Sequence, residues 1–255
     1  MSLDAQNISI AFGGLKVLKD VNVSVRPGII TGFVGPNGAG KTTLFNCLTG
    51  VASPQQGVVT LEGEDISSFP LHQRIRLGVS RSFQTPRLDL DASVLDAVMV
   101  GFYSRNKPSL FGSFVSLPAR QRLDKELRAQ AERLIEQFEL TGDPHQRSGA
   151  LSLGRLRLLE VARALASKPK YLLLDEPAAG VDEHDRTLLA RAIRNAAASH
   201  IGVLLVEHNV GFVAELSHHM VALVRGEIVA EGKPQDVVRD EQVVTAYLGG
   251  HRVAA

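Results

Sequence analysis

Alternating apolar and polar side chains mark the first part of the chain. The alternation runs over Leu3–Phe12 and Val17–Val25, and the pairs Gly13-Gly14 and Pro27-Gly28 follow these two runs. A period of two is typical of strands with one buried face, and such glycine and proline pairs are typical of turns. We therefore predict antiparallel strands in this region.

The residues from about 88 to 165 show a helical spacing instead. Three helices are predicted there, over Ala92–Phe102, Pro118–Leu140 and Leu153–Ala166. The longest has apolar side chains at three- and four-residue steps, which lie on one helix face: Leu123, Leu127, Leu134, Ile135 and Phe138. We expect residues 88–165 to be a helical subdomain inserted into a single domain of residues 1–255, whose core and N-terminal β subdomain cover 1–87 and 166–255.

The last third of the chain returns to strands, and these are apolar throughout. Tyr171–Leu174 and Gly202–Val206 are continuous apolar runs with a helical stretch, Asp185–Ser199, between them. Ile29–Val34 is a similar run near the start of the chain. Continuous apolar strands that alternate with helices are typical of a parallel sheet covered on both faces. An α/β fold is therefore predicted.

A glycine-rich loop connects the strand Ile29–Val34 to a predicted helix that begins near Leu44. Its residues are Gly35, Pro36, Asn37, Gly38, Ala39, Gly40, Lys41, Thr42 and Thr43. Strand, glycine loop and helix are the context of a phosphate-binding loop, in which glycines let backbone N–H groups turn toward an anion. In that motif Lys41 reaches the β- and γ-phosphates, the Thr42 hydroxyl ligates Mg²⁺, and Thr43 adds a phosphate donor.

Polar residues also stand at the ends of three predicted strands. Asp175 and Glu176 follow Leu172–Leu174, at the carboxyl end where ligands of open α/β sheets collect. Asp175 is predicted to orient the Mg²⁺ shell, and Glu176 to polarise the water that attacks the γ-phosphate. His208 would donate to that phosphate, although a lone histidine is more often a surface or core residue. Gln84 would reach the Mg²⁺ shell from a hinge-like position.

Composition narrows the class of protein. A chain of 255 residues with 44% hydrophobic and 22% charged side chains is typical of a folded globular protein. The net charge of +1 gives no overall field for nucleic acid or an acidic membrane surface. The single cysteine, Cys47, excludes an internal disulfide and fits a reducing compartment. No export signal and no membrane-spanning apolar run is visible, so we expect any membrane role to act through a partner.

These motifs, in this order, resemble the nucleotide-binding subunit of an ATP-binding cassette (ABC) transporter. The resemblance runs from about Leu3 to Leu248 and is carried by Gly35–Thr43, Gln84, Leu151–Arg155, Leu172–Glu176, Asp182 and His208. It implies a P-loop NTPase (RecA-like) core with an antiparallel β subdomain and the inserted α-helical subdomain. It also implies ATP hydrolysis with Mg²⁺, and its catalytic residues would be Lys41, Gln84, Glu176 and His208.

The resemblance assigns further residues to the nucleotide. Phe12 matches the aromatic residue that stacks on adenine, with core packing as the alternative, and Val17 would line the same pocket. Ser152 and Gly154 match the signature loop, which offers a hydroxyl and a close-approach backbone N–H to the γ-phosphate held by a partner subunit. Two subunits would sandwich two ATP-Mg head to tail, with Asp182 at their interface.

Two signature positions depart from the common Leu-Ser-Gly-Gly-Gln. Leu153 replaces the first glycine, a change that the branched-chain amino acid importers of this family also tolerate. Arg155 replaces the glutamine. An arginine near phosphate would either strengthen closure on the nucleotide or misplace the signature loop, and both interpretations stay open.

Several stretches resemble the branched-chain amino acid importers in particular: Phe12–Leu15, Arg81–Gln84, Phe45–Gly50, Asp175–Gly180, Glu207–Asn209 and Ala246–Gly249. Relatives of that group carry branched-chain amino acids, urea, amides or aromatic acids, and the partners choose the substrate. The connector Phe102–Arg122 fits this group too. Its apolar side chains would either dock the membrane subunits or pack on the helical subdomain: Leu110, Phe111, Phe114 and Leu117.

The resemblance implies partners and a place in the cell. The partners would be two transmembrane permeases, a second ATPase subunit (identical or sister) and an extracytoplasmic substrate-binding protein reached through the permeases, with no nucleic acid. The chain is expected to lie peripherally on the cytoplasmic face of the inner membrane. An exporter ATPase and a soluble ABC ATPase are the alternatives. A single cassette with a net charge of +1 and no basic stripe argues against the soluble one.

Overall fold

Ten strands, nine α-helices and one short 3₁₀ helix (Ser148–Ala150) form the part of the chain that this computed structural model describes, residues 1–82, 88–105 and 117–249. The strands are β1 (Leu3–Phe12), β2 (Leu15–Val25), β3 (Ile30–Val34), β4 (Gln56–Leu61), β5 (Glu64–Asp65), β6 (Val79–Arg81), β7 (Tyr171–Asp175), β8 (Gly202–Val206), β9 (His219–Val224) and β10 (Glu227–Gly232). The helices are α1 (Lys41–Thr49), α2 (Leu71–Leu77), α3 (Val94–Arg105), α4 (Leu117–Gln137), α5 (Leu153–Ala166), α6 (Glu183–Ala198), α7 (Val210–Leu216), α8 (Pro234–Val237) and α9 (Glu241–Gly249).

Four strands near the start of the chain form an antiparallel sheet in the order β2-β1-β4-β5. Leu3 of β1 pairs with Val25 on one side and with Leu61 on the other. Leu3 and Ala5 of β1 and, after an irregularity in the strand pairing, Ile8 and Ile10 are buried in one apolar cluster that also contains α1. The predicted antiparallel strands are therefore confirmed, and their alternation reflects one buried face.

Six strands form a second sheet in the order β10-β9-β3-β8-β7-β6. All neighbouring pairs are parallel except β9 and β10, which form an antiparallel hairpin. Every residue of β3, β7 and β8 is buried. Leu172 and Leu174 of β7 enter one apolar cluster, and Tyr171 and Leu173 enter another. The prediction of a parallel sheet covered on both faces is confirmed.

Helices α3 to α6 share one apolar cluster with one face of this second sheet. The three predicted helices are present, but α4 ends at Gln137 rather than at Leu140. Glu139 has a left-handed φ of 49°, which is a common way to end a helix. Leu123 is 54% exposed, so its assignment to the apolar face was wrong. The limits of the helical subdomain at residues 88 and 165 stay a prediction.

Two of the sequence predictions concern residues that the structure does not describe. Gln84 lies within residues 83–87, and Leu110, Phe111 and Phe114 lie within residues 106–116. The side chain of Leu117 also lies outside the described part of the structure. Among the described residues, no helix combines the length and the apolar character that crossing a membrane requires.

A buried arginine joins α2 to the end of α1. Arg74 is 0% exposed and donates to the carbonyls of Cys47 at 2.7 Å, Leu48 at 2.8 Å, Phe69 at 2.8 Å and Ser67 at 3.1 Å. The last carbonyls of a helix have no partner within it, so Arg74 satisfies those of α1 and complements its dipole. Burial lowers the pKa of Arg74 to about 10, and the side chain therefore stays charged at neutral pH.

Replacing Arg74 with Met should lower the free energy of unfolding by about 2–4 kcal/mol, because buried carbonyls lose their donor. Urea unfolding followed by circular dichroism measures this difference. Arg76→Met is the matched control, since Arg76 is exposed on the same helix and should change stability by about 0.5 kcal/mol or less. Equal losses in the two variants would contradict the capping role of Arg74.

Candidate functional site

The loop between β3 and α1 follows a path that only glycine allows at two of its positions. A Cβ on Gly35 would lie 2.2 Å from the carbonyl oxygen of Leu223 in β9. Gly40 has a φ of 108°, and a Cβ there would lie 2.8 Å from the carbonyl oxygen of Val17 in β2. Strands of both sheets therefore pack closely against the loop backbone, and a side chain at either position would clash with a strand carbonyl and displace the loop.

Helix α1 begins at this loop without a side-chain cap. Gly40 is its N-cap, and its first turn contains no acidic residue. The first backbone N–H groups of α1 therefore stay available as donors at the positive end of the helix dipole. Thr42 is exposed and Thr43 is half-buried in that first turn. On its other side the loop borders α9 across an open cavity of about 650 Å³, lined in part by Pro36, Asn37, Gly38 and Ala39.

Lys41 lies back over the loop. Its Nζ donates to the carbonyl of Gly35 at 2.6 Å and to that of Pro36 at 3.1 Å. Burial lowers the pKa of Lys41, and the carboxylates of Glu176 and Asp175 oppose that shift. The ammonium group therefore lies between the loop and the two acids at the end of β7, Asp175 and Glu176.

Asp175, the last residue of β7, is 2% exposed. Burial raises its pKa and Glu176 raises it further, whereas nearby cationic groups lower it. Its Oδ1 atom is buried without a hydrogen-bond partner, which is unfavourable for a carboxylate unless a cation or a donor meets it. Such a carboxylate oxygen is a ligand that a hard cation such as Mg²⁺ prefers.

Glu176 and His208 meet where β7 and β8 end. Nε2 of His208 lies 2.5 Å from Oε1 of Glu176, and the two side chains are 45% and 10% exposed. Glu176 has a left-handed φ of 50°, which is uncommon for a residue with a Cβ. Its N–H donates to the carbonyl of Val206 at 2.8 Å. A constrained backbone thus holds the carboxylate against the imidazole.

Parallel pairing explains why these side chains share one edge of the sheet. β3, β8 and β7 are neighbours, and Val206 is in register with both Phe33 and Asp175. Residues that follow the carboxyl ends of such strands come together. The structure brings together four predicted site residues: Lys41, Asp175, Glu176 and His208. Gln84 lies outside the described residues.

Phe12 and Val17 flank the turn between β1 and β2. Phe12 is 58% exposed, so core packing is excluded for this side chain, and its ring is accessible to a planar ligand. Val17 is half-buried against the apolar cluster that joins the antiparallel sheet to α1. The carbonyl of Val17 borders Gly40, which places this turn beside the glycine loop.

Ser152 and Gly154 lie at the start of α5, and Asp182 lies at the start of α6. Ser152 is an N-cap whose Oγ accepts from the Arg155 N–H at 3.2 Å. Asp182 caps α6 in the same way and accepts from the Asp185 N–H at 2.8 Å. Gly154 is buried beside α6. Among the described residues, no hydrogen bond or ion pair joins these three residues to the glycine loop.

The side chain of Arg155 is engaged within its own subunit. Its Nε lies 3.0 Å from Oδ1 of Asp185, whose side chain is 3% exposed. Its guanidinium group also donates to the carbonyls of Phe138 and Glu139, just beyond α4. Arg155 thereby ties α4, α5 and α6 together. The two effects expected from the sequence, on closure over the nucleotide and on the signature loop, stay predictions.

Three side chains near the site were given no role by the sequence analysis, although Arg81 and Glu207 lie in stretches that resemble the importers. Arg81, at the end of β6, donates to side chains of α1. Arg157 on α5 donates to the carbonyl of Glu176 at 3.0 Å. Glu207 is 4% exposed and accepts from the Ala178 N–H at 2.6 Å. A polar residue at the end of an apolar strand was the available signal for Arg81 and Glu207, and Arg157 had none.

Two family models match this chain. The model described as "ABC transporter" matches residues 18–179. The model described as "Branched-chain amino acid ATP-binding cassette transporter" matches residues 227–253, which include β10, α8 and α9. The first match covers more than half of the chain, and the second covers its C-terminal part.

Three curated proteins are similar to this chain over almost its whole length. The high-affinity branched-chain amino acid transport ATP-binding protein BraF of Pseudomonas aeruginosa is 35% identical over 248 residues, 97% of each chain. LivG of Escherichia coli, which carries the same description, is 33% identical over the same shares. The lipopolysaccharide export system ATP-binding protein LptB of Escherichia coli is 36% identical, again over 97% of each chain.

Two solved structures resemble this fold closely. A nucleotide-free ATP-binding cassette from an ABC transporter gives a TM-score of 0.83 at 30% identity and covers 97% of this chain and 99% of that chain. The ADP conformation of the ATP-binding cassette MJ1267 also gives 0.83 at 30% identity, with 98% and 99% covered. The predicted fold class is thereby confirmed.

Replacing Arg155 with Gln should lower the free energy of unfolding by about 1–3 kcal/mol, because the buried carboxylate of Asp185 would lose its partner. Urea unfolding measures the loss. Arg191→Gln is the matched control, since Arg191 on α6 lies 3.8 Å from Glu139 in an exposed pair that contributes about 0–1 kcal/mol. A loss no larger than in the control would show that Arg155 does not stabilise the junction.

Proposed function

From its membership of the ABC transporter family, as an ATP-binding subunit and an ATPase, we propose a transport role for this chain. It would energise the uptake of branched-chain amino acids or of a related small polar or amide substrate. One observation carries the proposal: the side chains of Lys41, Asp175, Glu176 and His208 meet beside the glycine loop. The similarity of its C-terminal part to branched-chain amino acid cassettes supports the choice of importer.

The glycine loop, residues 35–43, is proposed to bind the phosphates of ATP. The free N–H groups at the start of α1 and the ammonium group of Lys41 would neutralise their charge. Thr43 would add a hydroxyl donor. Phe12 would stack on adenine with its exposed ring, and Val17 would border the same pocket.

The metal site is proposed from the oxygens that the chain offers there. Mg²⁺, when bound, would supply positive charge that offsets the charge of the phosphates. Thr42 and Asp175 would hold it, because the Oδ1 of Asp175 has no protein partner. Gln84 is proposed as a further contact to the metal shell on the basis of its place in the sequence.

Glu176 is proposed as the general base, and His208 as a donor to the γ-phosphate. Nε2 of His208 and Oε1 of Glu176 lie 2.5 Å apart, so each side chain is engaged as the partner of the other. If His208 turns toward the γ-phosphate, Glu176 becomes available to orient the attacking water and to accept its proton. This exchange would link the catalytic base to the presence of the phosphate that is cleaved.

The signature residues are proposed to act in the other half of a dimer. Ser152 and Gly154 have no hydrogen bond or ion pair to the glycine loop within the described residues. They would meet the nucleotide on a second ATPase subunit, identical or sister, that faces this one head to tail. Asp182 would lie at the interface between the two nucleotide sites, six residues after the base.

We place the chain peripherally on the cytoplasmic face of the inner membrane. Two transmembrane permeases would be its direct partners, and an extracytoplasmic binding protein would deliver substrate through them; no nucleic acid is involved. A second candidate is the ATPase subunit of an exporter, which is favoured by the 36% identity with LptB. No observation favours the soluble ABC ATPase.

Replacing Glu176 with Gln should slow ATP hydrolysis by about 10²–10⁴-fold and leave ATP affinity intact, because the base is lost while the phosphate contacts stay. Phosphate release and equilibrium ATP binding measure the two effects. Glu215→Gln is the matched control, since the Glu215 side chain is 67% exposed and should keep the full rate. Lys41→Ala should lose ATP binding instead. Near-normal turnover in Glu176→Gln would remove Glu176 from the base role.

The importer proposal predicts which proteins accompany the tagged chain when it is purified from membranes. Two polytopic permeases should co-purify. Proteoliposomes that contain this chain, the two permeases and the matching binding protein should accumulate labelled leucine, urea or an aromatic acid when ATP is supplied on the ATPase side. The same complex with Glu176→Gln is the control and should show no uptake. ATP-driven outward movement of a lipid would instead support the exporter.

A further inference from the structure

A buried glutamate connects the strand end that carries His208 to the turn that follows Glu176. Glu207 is 4% exposed. One carboxylate oxygen accepts from the Ala178 N–H at 2.6 Å, and the other accepts from the His208 N–H at 3.3 Å. Neither hydrogen bond takes part in the ATP hydrolysis proposed above, so the role of Glu207 differs from the roles of Glu176 and His208.

The position of Glu207 is electrostatically unfavourable. Burial raises its pKa, its two backbone hydrogen bonds lower it, and the neighbouring Glu176 raises it again. Asp175, Glu176 and Glu207 therefore place three acids around the same strand ends. A buried acid beside another acid lowers stability unless its hydrogen bonds offset the cost. The hydrogen bonds from the Ala178 and His208 N–H groups therefore explain how the Glu207 carboxylate is tolerated at this buried position.

The backbone after β7 is held at three points. The Glu176 N–H donates to the carbonyl of Val206, and Arg157 donates to the carbonyl of Glu176 at 3.0 Å. Glu207 supplies the third point through Ala178. The turn then runs to Asp182, which caps α6. Glu207 is thus the side-chain connection between the end of β8 and this turn.

We propose that Glu207 is a positioning residue that couples movement of His208 to the turn 177–182, and through that turn to Asp182. The inference rests on the function proposed above for Glu176 and His208. Glu207 and His208 are adjacent in the chain, and the Glu207 carboxylate accepts from the His208 N–H. A shift of the His208 backbone that accompanies its approach to the γ-phosphate would therefore displace this carboxylate, and Ala178 with it.

Hydrogen exchange of the nucleotide-free protein tests the connection without hydrolysis. Glu207→Leu removes both acceptors, and amide exchange in residues 177–182 should become about tenfold faster, which corresponds to one lost hydrogen bond. Glu207→Gln keeps a carbonyl oxygen for the Ala178 N–H and should stay within about threefold of the parent. Unchanged exchange in Glu207→Leu would overturn the inference.

Kinetics test the positioning role. Glu207→Leu should lower kcat by about 10–100-fold and change the KM for ATP by less than about threefold, because the base is misplaced while the phosphate loop is intact. Glu207→Gln should recover most of the rate. Glu207→Asp retracts the carboxylate by one methylene and should act in the same direction as Glu207→Leu, which covers the case that the leucine variant does not fold.

Glu160→Gln is the matched control. Glu160 is 2% exposed on α5 and pairs with Arg163 at 3.1 Å, so its loss should change stability but neither kcat nor exchange in residues 177–182. An equal fall of kcat in this control would overturn the inference. Full hydrolysis by Glu176→Gln would overturn the proposed function and leave the exchange result standing, so the two failures are distinguishable.

Discussion

The parallel pairing of β3, β8 and β7 is the constraint on which the site depends. Every residue of these strands is buried and, apart from Thr31 and Asp175, none is polar, so the strands must lie inside a sheet that helices and strands cover on both faces. Their shared direction brings the glycine loop, Asp175 with Glu176, and His208 to one edge. Residues more than 160 positions apart in the chain therefore meet because of backbone register and not because of local sequence.

Close backbone approach shapes the loop at that edge. The carbonyls of Leu223 and Val17 stand where side chains of Gly35 and Gly40 would lie, so strands of both sheets determine the curve of the loop. This curve leaves the first N–H groups of α1 without a cap and lets Lys41 donate to the loop carbonyls. Positive donors thus face the buried acids after β7, and a phosphate-bound cation would complete the charge balance between them.

The sequence predicted most strands and helices because their apolar periods agree with their burial. It also predicted the convergence of Asp175, Glu176 and His208, since each lies at or just beyond the end of a buried strand. It could not predict contacts that depend on tertiary packing. Arg155 reaches Asp185, thirty residues away, and Leu123 lies on an exposed part of α4 despite its helical spacing. The role of Gln84 stays a prediction because residue 84 is not described.

Ser152 shows how one residue can cap a helix and still keep the donor that its proposed role requires. A hydroxyl has one donor and two acceptor sites. Oγ uses one acceptor for the Arg155 N–H and thereby caps α5. Its own hydrogen is then free to point outward from the helix start, in the direction where an anion is most favourable. Asp182 caps α6 with Oδ1 in the same way, which leaves its second oxygen for contact across an interface. Helix capping therefore fixes both residues in place and leaves the function proposed for each of them possible.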